Sequence, residues 1–442
     1  METISNPQLQ LAFDYVQFTG SNIFLTGKAG TGKTTFLHNL RSRSFKRLIV
    51  VAPTGVAAIN AGGVTIHSFF QLPFGPHIPT DHSGNGSYQE TSNPGQNIQR
   101  FSREKINIIK SLDLLVIDEI SMVRADLLDG IDEVLRRYKD RYKPFGGVQL
   151  LMIGDLQQLA PVIKDDEWEI LRKYYETGFF FSSRALQKTN YVSIELKHIY
   201  RQSDITFIEL LNKVRDNNLD AQALEMLNKR HIPGFAQKEE EGYITLTTHN
   251  YQAQELNESK LRTLPTEPQS FTAVVQGEFP EYSYPTDFEL TLKVGAQVMF
   301  VKNDSSREKL YYNGKIGKIV SIEDDTIGVE CPDEELEIPV QQVEWQNMKY
   351  TIDDATKEIH ETVAGSFIQY PLKLAWAITI HKSQGLTFER AIIDARSSFA
   401  HGQVYVALSR CKTMEGMVLS TPISYQSIKS DNTVSQFNRN VE

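Results

Sequence analysis

The sequence predicts an α/β fold of parallel sheets covered by helices, and three observations carry that expectation. Short apolar runs alternate with helical patterns from residue 20 to about 155, and a glycine-rich segment directly follows the first of these runs. Between about 270 and 360 the pattern changes to short strands, read as a small β-barrel inserted into a second α/β region. The 442 residues are enough for two to four units with sizeable cores, and 40% hydrophobic with 23% charged residues is ordinary for a globular enzyme. The formal net charge of −9 argues against nucleic-acid binding through a general basic field, so any such track must be local. Cys331 and Cys411 have no ligand-like spacing, which gives no support to a disulfide framework or zinc site and fits a reducing, cytoplasmic compartment. No run approaches eighteen apolar residues and the first seven residues lack an export pattern, so neither membrane nor targeting signal is expected.

The first strand, 22–26, leads into Gly27-Lys28-Ala29-Gly30-Thr31-Gly32-Lys33-Thr34, and a helix continues from Thr35. This is the pattern of a phosphate-binding loop. Its glycines let the N–H groups around Ala29 and Thr31 converge on phosphate oxygens, Lys33 reaches the β and γ phosphates, and the Thr34 hydroxyl can ligate Mg²⁺. The helix N-terminus at Thr35 adds its dipole, so a nucleoside triphosphate such as ATP is the expected ligand.

Further strands are expected at 47–52, 112–117 and 148–153. The third of these four runs ends in Asp118-Glu119, which puts two carboxylates at the C-terminal edge of a strand, where sites of open sheets lie. Asp118 is the expected Mg²⁺ ligand, directly or through water, and Glu119 the general base for the attacking water. After the fourth run, Gln158 in Gly154-Asp155-Leu156-Gln157-Gln158 suits sensing of the γ phosphate, because its amide both donates and accepts. Far downstream, Arg201 and Arg410 are candidates to stabilise transition-state charge from a second domain; singly, each reads as well as a surface ion pair.

Residues 71–97 carry several prolines and glycines with little periodicity and read as an inserted loop or small subdomain. The expected division is a first domain at 1–183, with an inserted wedge-like subdomain at about 67–103. A second domain at 184–269 and 361–442 encloses a barrel at 270–360.

Seven segments together closely resemble the Pif-one (petite integration frequency) group of superfamily-one helicases, relatives of the RecD helicases: 27–35, 52–58, 116–122, 154–162, 196–202, 380–387 and 404–410. A minor departure is Ala160, where a second proline is common. The resemblance implies two RecA-like P-loop NTPase domains, the second carrying a Src-homology-type barrel. It also implies a monomeric motor that uses ATP and Mg²⁺, moves 5′→3′ on single-stranded DNA and opens forked or tailed duplexes. G-quadruplexes, RNA–DNA hybrids, and roles in replication, recombination, repair or telomere maintenance belong to the same implication. By residue, it suggests that Gln10 reads the adenine edge and Gly385 lies near the nucleotide. Thr54, Gly55, His67, Ser68 and Phe69, with the neighbouring Pro53, line a single-strand track, and Thr248, Asn250, His381, Lys382 and Ser383 are their counterparts in the second domain.

The residues support part of this directly. Thr hydroxyls and exposed N–H groups at the turn 53–55 can bind phosphates, and Phe69 and Phe70 can stack on unpaired bases or pack in the core. The turn Tyr311-Tyr312-Asn313-Gly314 of the barrel is either a DNA-facing surface or a stabilising turn. The loop 71–97 is the expected wedge. Two other classes compete: a nucleotide-switched DNA-binding module and a protein-remodelling ATPase. The hydrolytic set Glu119, Gln158, Arg201 and Arg410 argues against the first, and the segments 53–55 and 381–383 argue against the second.

Overall fold

The computed structural model describes residues 6–79, 101–235, 241–332, 334, 336–353, 355–394, 401–429 and 431–441. Its first sheet is built from β1 (Asn22–Gly27), β2 (Leu48–Ala52), β3 (Val64–Thr65), β4 (Leu114–Ile117), β5 (Gln149–Gly154) and β6 (Tyr191–Leu196). They lie in the order β3-β2-β4-β5-β1-β6 and pair in parallel throughout. Strand alternation distributes the apolar side chains to two cores. Ile23, Leu25 and Val50 join the helices Pro7–Phe18 and Lys33–Arg43 on one face, whereas Phe24, Ile49 and Val51 meet the helices Arg103–Ser111 and Ala125–Tyr138 on the other. Each such side chain contributes about 1.5–3 kcal/mol through burial.

The second domain contains β7 (Ile244–Thr247) and, after an insertion, β18 (Ala377–Thr379), β19 (Ala391–Ile393) and β20 (Met417–Leu419). These four form a parallel sheet in the order β18-β7-β19-β20. The insertion holds β8 (Gln269–Thr272), β9 (Val274–Gly277), β10 (Glu289–Leu292), β11 (Gln297–Phe300), β12 (Ile316–Glu323), β13 (Thr326–Glu330), β14 (Glu337–Val340), β15 (Val343–Ile352), β16 (Ile359–Gln369) and β17 (Leu372–Leu374). All are antiparallel, in sheets of five, three and two strands.

Three boundaries differ from expectation, because periodicity reveals a strand or helix but not what it packs against. Residues 191–196, expected in the second domain, complete the first sheet by pairing with β1. The insertion runs past 360 to 374, since β16 and β17 stay in its antiparallel sheets. The last helix, Asn432–Val441, returns to the first domain, where Phe437 stacks on Phe181 with ring centroids 4.4 Å apart. Most of the expected wedge subdomain, 80–100, lies outside the described residues.

The insertion is fastened to the first domain. Tyr350 of β15 sits in the first domain's core, its hydroxyl accepting from Val50 N at 3.2 Å, and Glu361 of β16 accepts two hydrogen bonds from Arg41 Nη2 at 2.6 and 2.8 Å. Among the described residues no helix is long and apolar enough to cross a membrane.

Candidate active site at the domain interface

The loop after β1 turns through glycines at Gly30 (φ 79°) and Gly32 (φ 87°), a conformation that disfavours other residues. At Gly30 the need is also spatial, because a Cβ there would collide with that of Arg201. Lys33 opens the following helix and folds back over the loop, donating to the carbonyls of Gly27 (2.6 Å) and Lys28 (3.0 Å). Burial lowers its pKa, against the opposing pull of Asp155, Glu119 and Asp118.

Asp118 and Glu119 leave the end of β4 as expected, the first buried and the second half-buried. Glu119 is held at φ 52°, which turns the chain sharply after Asp118. Burial pushes both carboxyls upward, and the Asp118 charge pushes Glu119 further. The Thr34 hydroxyl and the Asp118 carboxylate are hard oxygen donors of the type Mg²⁺ takes, so the residues fit that ion. Among the described residues no group of three His, Cys, Asp or Glu could hold a metal. A bound Mg²⁺ must therefore complete its shell with phosphate and water.

From the other domain come Arg201 and Arg410. Arg201 reaches Ser409 O (3.3 Å) and Gly385 O (3.4 Å), and Tyr200 N, next to it, donates to Gly30 O at 2.8 Å. Arg410 is fully buried and satisfied within its own domain by Val406 O (3.0 Å), Ser409 Oγ (2.9 Å) and Leu386 O (3.3 Å). Burial and the neighbouring Arg201 pull its pKa down to about 9. Gln158 is buried with its amide on Asp155 Oδ2 at 3.2 Å. Gln10 lies on the first helix, where its amide bonds Asp14 at 2.8 Å on an exposed surface.

Four neighbours of the nucleotide site were not anticipated. Gln384 donates to Glu119 Oε2 at 2.8 Å across the interface. Tyr405 accepts from Ala29 N at 3.2 Å, Tyr200 accepts from Asn6 Nδ2 at 3.3 Å with its ring beside Gly32, and Arg215 pairs with Asp155 at 3.1 Å. Tyr200, Gln384 and Tyr405 fall inside the segments that carry the family resemblance, so proximity to Arg201, Gly385 and Arg410 was the available signal. Arg215 had none.

The proposed nucleic-acid residues divide into surface and interior. Thr54, Ser68, Asn250 and Lys382 are exposed, with Thr54 also capping the helix Gly55–Ala61 through Ala57 N at 3.2 Å. Pro53 and His67 are half-buried; His67 Nδ1 lies 3.1 Å from Leu72 O, and burial lowers its pKa. His381 is half-buried, its pKa also lowered by burial.

Phe69 departs from the base-stacking expectation. It is 1% exposed, edge-on to Phe70 and Tyr350, with Lys105 Nζ over its ring at 3.5 Å, so no face is free for a base. The apolar ring is worth more in the core. Phe70 is equally buried. Ser383 is likewise interior, its hydroxyl on Ile380 O at 2.8 Å, and Thr248 is buried with its hydroxyl against His249. Gly55 faces the insertion, since a Cβ on it would lie 3.3 Å from Ser283 Cα and Tyr282 O. In this arrangement the insertion covers part of the surface expected to form the first-domain track.

A family model described as PIF1-like helicase matches residues 9–224. The ATP-dependent DNA helicase Pif1 of Psychrobacter sp. is 32% identical over 465 residues, covering 91% of this chain. The protein of the same name from Bdellovibrio bacteriovorus is 30% identical over 422 residues, covering 94% of this chain and 87% of its own length. The chain spans 66% of the Psychrobacter relative and 61% of the rat one. Among solved structures, Bacteroides sp Pif1 in complex with ADP-AlF4 is 42% identical, covers 99% of this chain and 97% of its own, and superposes with a TM-score of 0.89. Its unliganded form gives 0.88 and its ssDNA-bound form 0.69, so this chain superposes better on the two forms without DNA, with or without nucleotide, than on the ssDNA-bound form.

Proposed function

The chain belongs to the PIF1-like helicase family, and from that premise we propose that it is an ATP-dependent DNA helicase, moving 5′→3′ on single-stranded DNA and opening tailed or forked duplex. The observation that carries this reading is the meeting of two half-sites at one interface. Lys33, Asp118 and Glu119 stand on the first domain, Arg201 and Arg410 on the second, and Gln384 bridges to Glu119 at 2.8 Å.

In this reading Lys33 leaves its two loop carbonyls for the β and γ phosphates of ATP. Thr34 and Asp118 hold Mg²⁺, which when bound neutralises charge on the phosphate oxygens. Glu119 accepts the proton of the attacking water, and its raised pKa makes it a better base than an exposed glutamate. Gln158 orients that water or the γ phosphate. Arg201 and Arg410 offset the charge that develops on the transferring phosphoryl group, an effect worth about 10³–10⁵ in rate in known systems. Because the cations come from the second domain, ATP favours closure and hydrolysis releases it.

Exposed Thr54, Ser68, Asn250 and Lys382 are the candidates for phosphate contacts that alternate with this motion. Opening one base-pair step costs on the order of 1.4 kcal/mol of stacking, well within what one nucleotide cycle supplies.

The test is ATP hydrolysis with and without an oligo-dT strand, together with strand separation on duplexes carrying a 5′ or a 3′ tail. We expect hydrolysis stimulated by the strand, abolished in Glu119→Gln, and separation only from the 5′ tail. Hydrolysis indifferent to DNA overturns the motor, and separation only from a 3′ tail overturns the polarity.

A further inference from the structure

One buried ion pair crosses the domain interface, and its cation, Arg215, lies outside the segments that carry the family resemblance. Arg215 is the last residue of the helix Ile205–Arg215, whose Phe207, Leu210, Leu211 and Val214 pack in the core of the second domain. Its Nη2 lies 3.1 Å from Oδ1 of Asp155, the residue that follows β5 in the first domain. Asp155 has no exposed surface, and the Arg215 side chain is 10% exposed. The other Asp155 oxygen accepts from Gln158 Nε2 at 3.2 Å, and Gln157 N donates to Oδ1 at 3.1 Å.

The same turn is held from a second side. His401 Nε2 lies 2.8 Å from Leu156 O, and Gly402, at φ 75°, packs so closely on the Gln158 carbonyl that a Cβ there would collide with it. Residues 155–158 are thus gripped by two separate elements of the second domain, with Arg215 the charged one.

A structural ion pair is a poor explanation for this arrangement. Two desolvated charges are often no more stabilising than an apolar pair of the same volume, and breaking such a pair by removing one partner strands the other. Burial pushes the Asp155 carboxyl upward, but Arg215 and then Lys33 outweigh it and keep the group ionised. The Arg215 Nε has no partner of its own, so the guanidinium is held for its contact with Asp155 and the adjacent Asp216 rather than fully satisfied in place. Separating the domains would leave Asp155 charged and uncovered beside Gln158. The pair therefore links the position of Gln158 to the angle between the domains.

We propose that Arg215 is a positioning residue that acts through Asp155 on Gln158, transmitting the presence or loss of the γ phosphate to the second domain without touching the nucleotide. This rests on the helicase reading. It predicts that Arg215 governs coupling more than ATP affinity.

The experiment measures oligo-dT affinity in the presence of ADP and of ADP with aluminium fluoride, together with steady-state ATP hydrolysis, for wild type, Arg215→Met, Arg215→Gln and Arg215→Lys. We expect wild type to show a clear ratio between the two affinities. In the neutral variants the ratio falls toward one and kcat drops at least tenfold, with the KM for ATP within about threefold of wild type. Arg215→Lys, which keeps the charge, retains the ratio to within about threefold. A folded neutral variant with the wild-type ratio overturns the proposal even if its Tm is lowered. Failure of both neutral variants to fold would assign Arg215 to stability alone and overturn it as well. If wild type itself shows no ratio and no DNA-stimulated hydrolysis, the helicase reading has failed, an outcome separable from failure of the variants alone.

Discussion

Gln384 donates its side-chain amide to Glu119 Oε2 over 2.8 Å, joining the segment that follows β18 to the carboxylate proposed as the base. A carboxylate has two oxygens, and fixing one orients the other toward water. His381 and Lys382, candidates for DNA contact, lie three and two residues before Gln384, so movement of that turn reaches Glu119 through one side chain.

Gln384→Ala should therefore lower the DNA-stimulated kcat by about 10–100-fold, the range expected when a general base loses its alignment. The KM for ATP should change less than threefold, because no phosphate contact is lost. A variant whose kcat at saturating oligo-dT equals that of wild type removes Gln384 from this role.

Lys33→Ala separates nucleotide use from strand binding. The side chain crosses the phosphate loop and touches none of the exposed candidate track residues, so hydrolysis should fall by about 10³-fold or more with the loss of a charge contact to the transferring phosphate. Oligo-dT affinity without nucleotide should stay within about twofold, measured by fluorescence anisotropy. A parallel collapse of DNA binding would mean that the loop also holds the nucleic-acid surface together.

Gly30→Ala tests the closeness of the two half-sites. The new methyl meets the Arg201 side chain, and the residue must keep φ 79°. The backbone strain alone is about 1–2 kcal/mol, and relief by pushing Arg201 back should cost activity more than stability. We expect kcat to fall at least tenfold while Tm drops only a few degrees. Wild-type turnover would show that the position of Arg201 is not limiting.

Much of this site was legible in the sequence because its chemistry is local. A glycine loop after a strand, and two carboxylates at a strand end, are short-range patterns whose geometry is set by the backbone. Contacts that cross the interface were not: Arg215 meets Asp155 sixty positions away along the chain, and no local spacing encodes that. Phe69 failed for a different reason, since an aromatic residue after a strand is compatible with stacking or with packing. Its fate was decided by Tyr350, which arrives from the insertion. The domain boundaries at 191–196 and 361–374 were misplaced on the same ground, because a strand's period does not name its partner.

Lys105 supplies a pH signature of the first domain. Its ammonium sits over the Phe69 ring at 3.5 Å, and burial lowers its pKa to about 7. The unfolded chain, with a lysine near 10.4, binds more protons between those values, so stability rises as pH increases from about 7 toward 10. The cation–π contact favours the charged form and reduces the effect. Lys105→Met should flatten the Tm profile across this window; an unchanged slope shows that Lys105 is not its source.

The last prediction concerns the fastening of the insertion. Tyr350 bonds to Val50 and packs on Phe69, Glu361 pairs with Arg41, and the neighbouring Tyr282-Ser283 lies against Gly55 of the expected DNA track. The relative solved with ssDNA superposes less well than its unliganded form, 0.69 against 0.88, at the same 42% identity. We predict that freeing the expected track requires the hairpin β15–β16 to let go, so that these contacts oppose DNA binding. Glu361→Ala removes the partly exposed ion pair, worth up to about 1 kcal/mol, and Tyr350→Phe removes one buried hydroxyl contact, worth about 0.5–1.5 kcal/mol. Together they should raise oligo-dT affinity by about three- to tenfold, mainly through faster association. Stopped-flow binding separates the rates. Unchanged association in the folded double variant would show that the insertion does not gate the track.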